Sequence, residues 1–351
     1  MVISQSCGLT TVSSSLALLI GAKENSVRQR LREWYYAKEN KRGIGRCEID
    51  VSQSFVPLLR WILSWWPTDE KRLALAMDAT SLGQALVVLA ISVVYRGCAI
   101  PVAWRVLPAI EKGSWREPWL DLFSRFQGVL SEDWVVIVLA DRGLYASWLW
   151  EAIRKCKWHP FLRINSRFFF RPNDGSEFTA LRSAFQQPGC TWSGAGTCFK
   201  IHSIQATLLV QWQEGFEEPW LILTDLPPQQ ALPGWYGLRT WIESGFKHIK
   251  SAGWQWHYTR MVDPQRATRF WLAIAVATLW VLSVGGEADA NLPASSLEAL
   301  PQTHIARQRI PRTPLCRLLS CFHRGLMIIL TSLIAQRSFP SGRFIPEPWP
   351  T

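Results

Sequence analysis

Between Arg72 and Ile164 the pattern of apolar and polar positions changes period several times, and each change marks an element. RLALAMD alternates, with Leu73, Leu75 and Met77 on one face and Ala74, Ala76 and Asp78 on the other, which predicts a strand ending at Asp78. Two β-rich runs follow, Ala85 to Tyr95 and Cys98 to Leu107, joined by Arg96-Gly97 as a hairpin turn. Trp115 to Val129 reads as a helix with Pro118 in its first turn. Trp134 to Ala140 (WVVIVLA) is apolar on both faces, as a buried central strand must be, and runs into Asp141-Arg142-Gly143. An amphipathic helix, Tyr145 to Cys156, and a strand, Pro160 to Ile164, complete the block. The order β-β-β-α-β-α-β predicts an α/β fold with a mixed sheet flanked by helices.

The flanks read differently. Residues 1–66 are helical: Asn25-Ser26 caps a stretch from Val27 to Lys41, with Val27, Leu31, Trp34 and Tyr35 on one side and Arg28, Arg30 and Arg32 nearby. A second helix, Phe55 to Trp66, stops at Pro67. This region is either a DNA-end-binding module or an arm that packs on the core. Residues 166–230 read as short strands, clearest at Ala206 to Trp212 and Trp220 to Thr224, and form a β-rich insertion within a core of residues 67–284. Phe270 to Val284 is a 15-residue uncharged run, shorter than the roughly 20 residues a membrane span needs, and is expected as a buried core helix. Gly285 to Ser296 reads as an acidic linker. The rest of 285–351 reads as an Arg-rich tail with a helix from Leu315 to Ala335 and a loose, Pro-rich end from Phe339.

Composition narrows the function. Thirty-eight Lys and Arg stand against 27 Asp and Glu, a net charge of +11. The excess sits at the ends: residues 1–60 carry nine basic and five acidic side chains, and residues 301–351 carry seven arginines against Glu347 alone. Such a balance favours a polyanion, and basic ends around a more balanced middle suit DNA better than a small metabolite, while an anionic membrane surface would explain the charge nearly as well; DNA with no membrane partner is the expectation taken here. The eight cysteines include no CxxC pair, which excludes a disulfide framework or a zinc ribbon. Cys316, Cys321 and His323 could supply three metal ligands, although ordinary buried thiols explain the cysteines as well. Leu9 to Ile20 lacks the basic flank of a secretory signal, so a reducing, cytoplasmic setting is expected.

The chemistry concentrates in Tyr236 to Ala252, YGLRTWIESGFKHIKSA, bounded by Pro233-Gly234 and Gly253. At about 100° per residue, Tyr236, Arg239, Glu243 and Lys250 share an arc roughly 60° wide on a helix. An i,i+4 Arg–Glu pair usually only decorates a solvated face. Here it joins Asp78 and Asp141, each at the C-terminal end of a predicted strand, the edge where α/β sheets place ligands. Three carboxylates converging from two strands and a helix can hold two divalent cations about 3.5–4 Å apart, one activating the attacking oxygen of a phosphodiester reaction and the other stabilising the leaving oxygen. Of the six histidines only His248 and His257 lie near this set, so oxygen-liganded magnesium fits better than zinc.

The set Tyr236, Arg239, Glu243, Lys250 completes the pattern Y-x2-R-x3-E-x6-K. With Asp78-Ala79-Thr80 and Asp141-Arg142-Gly143-Leu144-Tyr145, it resembles the DDE transposases of bacterial insertion sequences, insertion-sequence-4 type. The resemblance covers roughly residues 70–285. It implies an RNase H-like fold with a β-strand insertion before the Glu helix, and an enzyme that cuts double-stranded DNA at its element's ends and joins them to a target. It further implies that Asp78, Asp141 and Glu243 bind Mg2+, with Mn2+ able to substitute, that Tyr236, Arg239 and Lys250 contact phosphates, and that an insertion tryptophan, for which Trp212 is one candidate, stacks on a flipped base. A homodimer on two DNA ends, at the bacterial nucleoid, is the expected assembly. Residues 1–66 and the tail after 300 have no counterpart in this resemblance. A catalytically inactive or domesticated DNA-binding protein, or a nuclease without strand transfer, would carry the same fold.

Overall fold

A computed structural model describes residues 1–110, 115–292 and 319–350. Three helices open the chain, α1 (Leu9–Ile20), α2 (Glu24–Tyr35) and α3 (Phe55–Ser64). Then come β1 (Arg72–Leu82), β2 (Leu86–Tyr95), β3 (Cys98–Pro108), α4 (Arg116–Ser124), β4 (Val135–Ala140), α5 (Ser147–Lys155) and β5 (His159–Arg163). β6 (Phe169–Pro172), β7 (Thr179–Ala180), α6 (Leu181–Ala184), β8 (Cys190–Cys198), β9 (Ile204–Trp212) and β10 (Trp220–Thr224) follow. The chain ends with α7 (Trp241–Lys247), α8 (Pro264–Ala288) and α9 (Cys321–Ile334).

The ten strands among the described residues form one mixed sheet in the order β3-β2-β1-β4-β5-β10-β9-β8-β6-β7. An antiparallel meander, β1 to β3, meets β4 and β5 running parallel to β1, the strand order of an RNase H-like core. The β-rich insertion is therefore not a separate layer. Its last strand, β10, pairs antiparallel with β5 (Ile222 opposite Arg163) and carries the sheet outward. The β2–β3 turn is the expected hairpin, with Arg96 and Gly97 both at positive φ (47° and 77°), as a type I′ turn needs. β4 is buried along its length, as its continuous apolar run requires.

Several predicted boundaries move, each for a visible reason. α2 begins at Glu24 rather than at an Asn25-Ser26 cap. It stops at Tyr35, six residues before Lys41, because Arg269 of α8 donates to the Tyr35 carbonyl (2.7 Å) and Tyr36 turns extended. Gly285 is not in a linker. α8 continues through Gly285 and Gly286 to Ala288, where the missing side chains let α9 cross: a Cβ on Gly285 would run into the Cys321 carbonyl, and one on Gly325 into that of Val281. At 25 residues α8 is long and apolar enough to cross a membrane, so length does not decide its role, but 72% of its most apolar window is buried inside the fold. The predicted helix Leu315 to Ala335 begins at Cys321; residues 315–318 lie outside the described residues.

The Pro-rich end is not loose. Phe344 is fully buried, with its ring edge-on to Tyr95 at 5.3 Å. Prolines supply few backbone donors, and side chains of the core supply them instead. Trp280 donates to the Pro340 carbonyl (2.9 Å), Arg96 to Ile345 (2.7 Å) and Trp235 to Pro350 (3.0 Å), while the Ile345 amide donates to Tyr95 Oη (2.9 Å). Phe344→Ala is expected to lower the unfolding free energy by about 3–5 kcal/mol in urea titration, the cost of emptying a buried phenylalanine site. A shift within about 0.5 kcal/mol, the size of an ordinary surface substitution, would mean that this end does not belong to the folded unit.

Candidate active site

β1 and β4 pair in parallel only as far as Ala76 opposite Leu139. Asp78 and Asp141 each stand two residues beyond that last pair, so both flank the crevice where the strands part. Asp78 is not at the end of its strand: β1 runs on to Leu82 because β2 stays paired with it, Asp78 opposite Ala90. Each aspartate accepts a hydrogen bond from the amide of the next residue at 2.8 Å, which fixes one carboxylate oxygen and leaves the other facing the crevice.

Tyr236 to Ala252 does not form the single helix that its spacing predicts. Pro233–Thr240 is a tight 3-10 segment, α7 spans seven residues, and His248–Ala252 is a π-helical turn in which the Gly253 amide reaches back to the His248 carbonyl. Pro233 at the start favours the tight form. The residue-by-residue angle therefore varies along the segment, yet Tyr236, Arg239 and Glu243 are still joined to the aspartates, directly or through Arg239. α7 approaches β3 closely because residue 245 is glycine; a Cβ there would stand 2.8 Å from that of Ala99.

The centre of the site is Arg239. Its Nη2 donates to Asp78 Oδ2 (2.8 Å) and lies 3.9 Å from Asp141 Oδ2, while Nη1 donates to Glu243 Oε1 (2.9 Å). Three carboxylates thus converge on one guanidinium, itself only 12% exposed. Burial raises the Asp78 pKa, with Arg239 opposing and the two other acids adding to the rise. Burial opposes the arginine's charge, but the surrounding acids and Tyr236 prevail and raise its pKa. The pairing thus favours the arginine's charge while ionised Asp78 remains at a cost. Tyr236 is buried and donates to the Ala140 carbonyl (3.2 Å) and Asp141 Oδ1 (3.4 Å), bracing the second aspartate. Lys250 is partly buried, and its pKa is lowered by desolvation and pulled back by Asp78, which puts its ammonium within the field of the site. It forms no ion pair among the described residues.

Two contributors escape the sequence reading. Arg163, at the end of the third parallel strand, lies 3.7 Å from Asp141 Oδ1 and 3.6 Å from Glu218. The strand-end rule that selects the aspartates would have selected it too. Trp220 of β10 sets its ring against Tyr236 at 5.2 Å. Trp212 sits one strand further out at the end of β9, opposite Cys190, where its indole donates to the Phe216 carbonyl (2.9 Å).

The two histidines nearest the site in sequence, His248 and His257, are engaged elsewhere. His248 stacks on Phe322 (4.2 Å), and burial, with His323 and Lys247 adding, pushes its pKa down to about 3. His257 donates to the Lys250 carbonyl (2.6 Å). Cys321 is buried against the Leu282 carbonyl, and His323 is held between Ser320 and the Ala252 carbonyl; Cys316, the third member of the Cys/His set, lies outside the described residues. Among the described residues no three His, Cys, Asp or Glu side chains stand close enough together to hold a metal as placed. The acidic trio is spread around the guanidinium. Its chemistry nonetheless fits a hard divalent cation, being all oxygen and already gathered about one positive charge.

Residues 117–280 match the family of the transposase DDE domain. The matched span includes Asp141, Tyr236, Arg239, Glu243 and Lys250 and begins after Asp78, which geometry alone brings to the site. No curated protein sequence matches the chain. Among solved structures it is similar to a piggyBac transposase in a synaptic complex with hairpin DNA, at 10% identity and a TM-score of 0.40, over 64% of this chain and 50% of that one. The chain thus spans half the length of that relative.

Arg239→Ala leaves three facing carboxylates without their cation. Stability at neutral pH in chelator is expected to fall by about 3 kcal/mol, the cost of breaking a buried ion pair. An acid whose pKa is raised by folding destabilises the fold above that pKa and ceases to do so as pH falls through it. The deficit should therefore shrink in mildly acidic buffer, measured by urea unfolding at both pH values. A deficit independent of pH would mean that Arg239 acts by packing alone.

Proposed function

We propose that this protein is a DNA transposase of the DDE type, which cleaves double-stranded DNA at the ends of its element and joins the freed ends to a target. The observation that carries the reading is the convergence of Asp78, Asp141 and Glu243 on a single cation at the C-terminal edge of the parallel strands. The match of residues 117–280 to the transposase DDE domain supports it.

Asp78, Asp141 and Glu243 would hold the divalent cations, Mg2+ or Mn2+. Bound there, such ions would activate a water or 3′-hydroxyl and stabilise the leaving oxygen. The chain's own groups do the rest. Arg239 holds the acids together in their absence and must withdraw from them, and a phosphate is the acceptor its planar fork suits. Lys250, partly desolvated and without an acidic partner among the described residues, offers a point charge to a phosphate near the cut. Tyr236 keeps Asp141 in place from below, and Arg163 steadies its other side. Two copies of the chain would bring two ends together.

One observation favours a second reading. Arg239 already neutralises much of the cluster, which is what a DNA-binding protein that has given up metal chemistry would also show.

An excision assay, with the gene supplied in trans to its flanking DNA, separates the two. Wild type should excise with Mg2+ present, Asp141→Ala should abolish excision, and Lys250→Ala should weaken it about 10–100-fold, the worth of a hydrogen bond to a charged group. Calorimetric titration with Mn2+ gives a readout independent of turnover: wild type should bind and Asp141→Ala should not. DNA binding with no excision, no Mn2+ uptake and no effect of Asp141→Ala would establish the second reading instead.

A further inference from the structure

The π-helical turn that carries Lys250 leads directly into a cleft of about 820 Å³ between residues 255–266 and the N-terminal helices α1 and α2. Four arginines line it, Arg28 and Arg32 from α2 and Arg260 and Arg266 from the other wall, against a single acid, Asp263. Asp263 caps α8 by accepting from the Arg266 amide (2.9 Å), and its other oxygen lies 3.9 Å from Arg266 Nε, so it offsets part of one of the four charges and leaves three without an acid in the cleft. Arg32 and Arg266 are positioned by Tyr36, whose ring both guanidinium groups face at 5.7 and 4.4 Å. Arg28 and Arg260 are exposed and have no acidic partner among the described residues.

The floor of the cleft adds to this field. Gly8, Leu9, Thr10 and Thr11 line it, and they are the first turn of α1, which has no side-chain cap and no acidic residue. The positive end of that helix therefore opens onto the arginines. Tyr258, 69% exposed and packed on His257, adds an aromatic surface at the rim.

We infer that this cleft is a second phosphate-binding site, which grips the backbone of duplex DNA beyond the segment held at the carboxylates. Four guanidinium groups spread over two walls suit a polyanion rather than one phosphate group. Continuity with the catalytic turn makes the polyanion the DNA already engaged there, since His257, in the cleft's wall segment, donates to the carbonyl of Lys250. Only that choice of polyanion rests on the transposase reading. The contacts would be to phosphates, so they fix register and carry no base sequence. The N-terminal helices thereby become part of the DNA path instead of a packing arm alone.

The test is fluorescence anisotropy of the full chain with a labelled duplex of random sequence, in chelator, over a range of salt. Arg28→Ala with Arg260→Ala should leave the thermal midpoint unchanged, since both side chains are exposed, and should weaken binding at least about tenfold. Each lost phosphate contact removes about 0.9 from the slope of log K against log salt, so the pair should flatten it by about 2. Arg60→Ala with Arg182→Ala, exposed arginines outside the cleft, removes the same charge and should change little. Equal losses from the two pairs, or no loss from the cleft pair, would overturn the inference. Because no cleavage is needed, binding that depends on the cleft in a chain that never excises its element would count against the transposase reading alone.

Discussion

Three carboxylates cannot be held together in a half-buried crevice unless positive charge stands among them. In this chain that charge is Arg239, with Asp78 and Glu243 each bonded within 3 Å and Asp141 beyond. The divergence of β1 and β4 supplies the crevice, and a glycine lets α7 press close enough to bring the third acid. Tyr236 and Arg163 restrain the second. The rest of the site follows from keeping that group of like charges at one place.

The sheet extends this constraint outward. β10 is zipped to β5, so the insertion is continuous with the strand whose last residue, Arg163, steadies Asp141. Trp220 reaches the site from β10. The insertion can thus contribute an aromatic side chain and a counter-charge, Glu218, without a flexible joint between it and the acids.

The core sheet and the hairpin at Arg96-Gly97 were legible because each rests on local pattern, alternation and turn chemistry; Asp141 does stand at a strand end, whereas Asp78 meets it although β1 runs on to Leu82. What escaped depends on partners distant in sequence. Gly285-Gly286 looks like a linker unless α9 is known to cross there. Phe344 looks loose unless Tyr95 is known to wait for it. The regular helix expected over Tyr236 to Ala252 failed because the tight start at Pro233 and the π turn before Gly253 change the angle per residue. The meeting of Arg239 and Glu243 survived since both lie close to the junction with α7. Arg96 was read as a turn residue only, and its buried guanidinium, which holds residues 345 and 289, had no local signal.

The docking of Gly342 to Pro350 bears on how the protein comes to exist. Its contacts reach Tyr95 and Arg96 at the β2–β3 turn and Trp235, the neighbour of Tyr236. A nascent chain therefore exposes an unfilled aromatic socket, and a buried arginine short of its bond to Ile345, until residue 347 or so has left the ribosome. Loss of this segment would remove none of the acids and still leave them on an unfinished scaffold. Every residue of the acidic cluster can thus be present in a chain whose scaffold is incomplete.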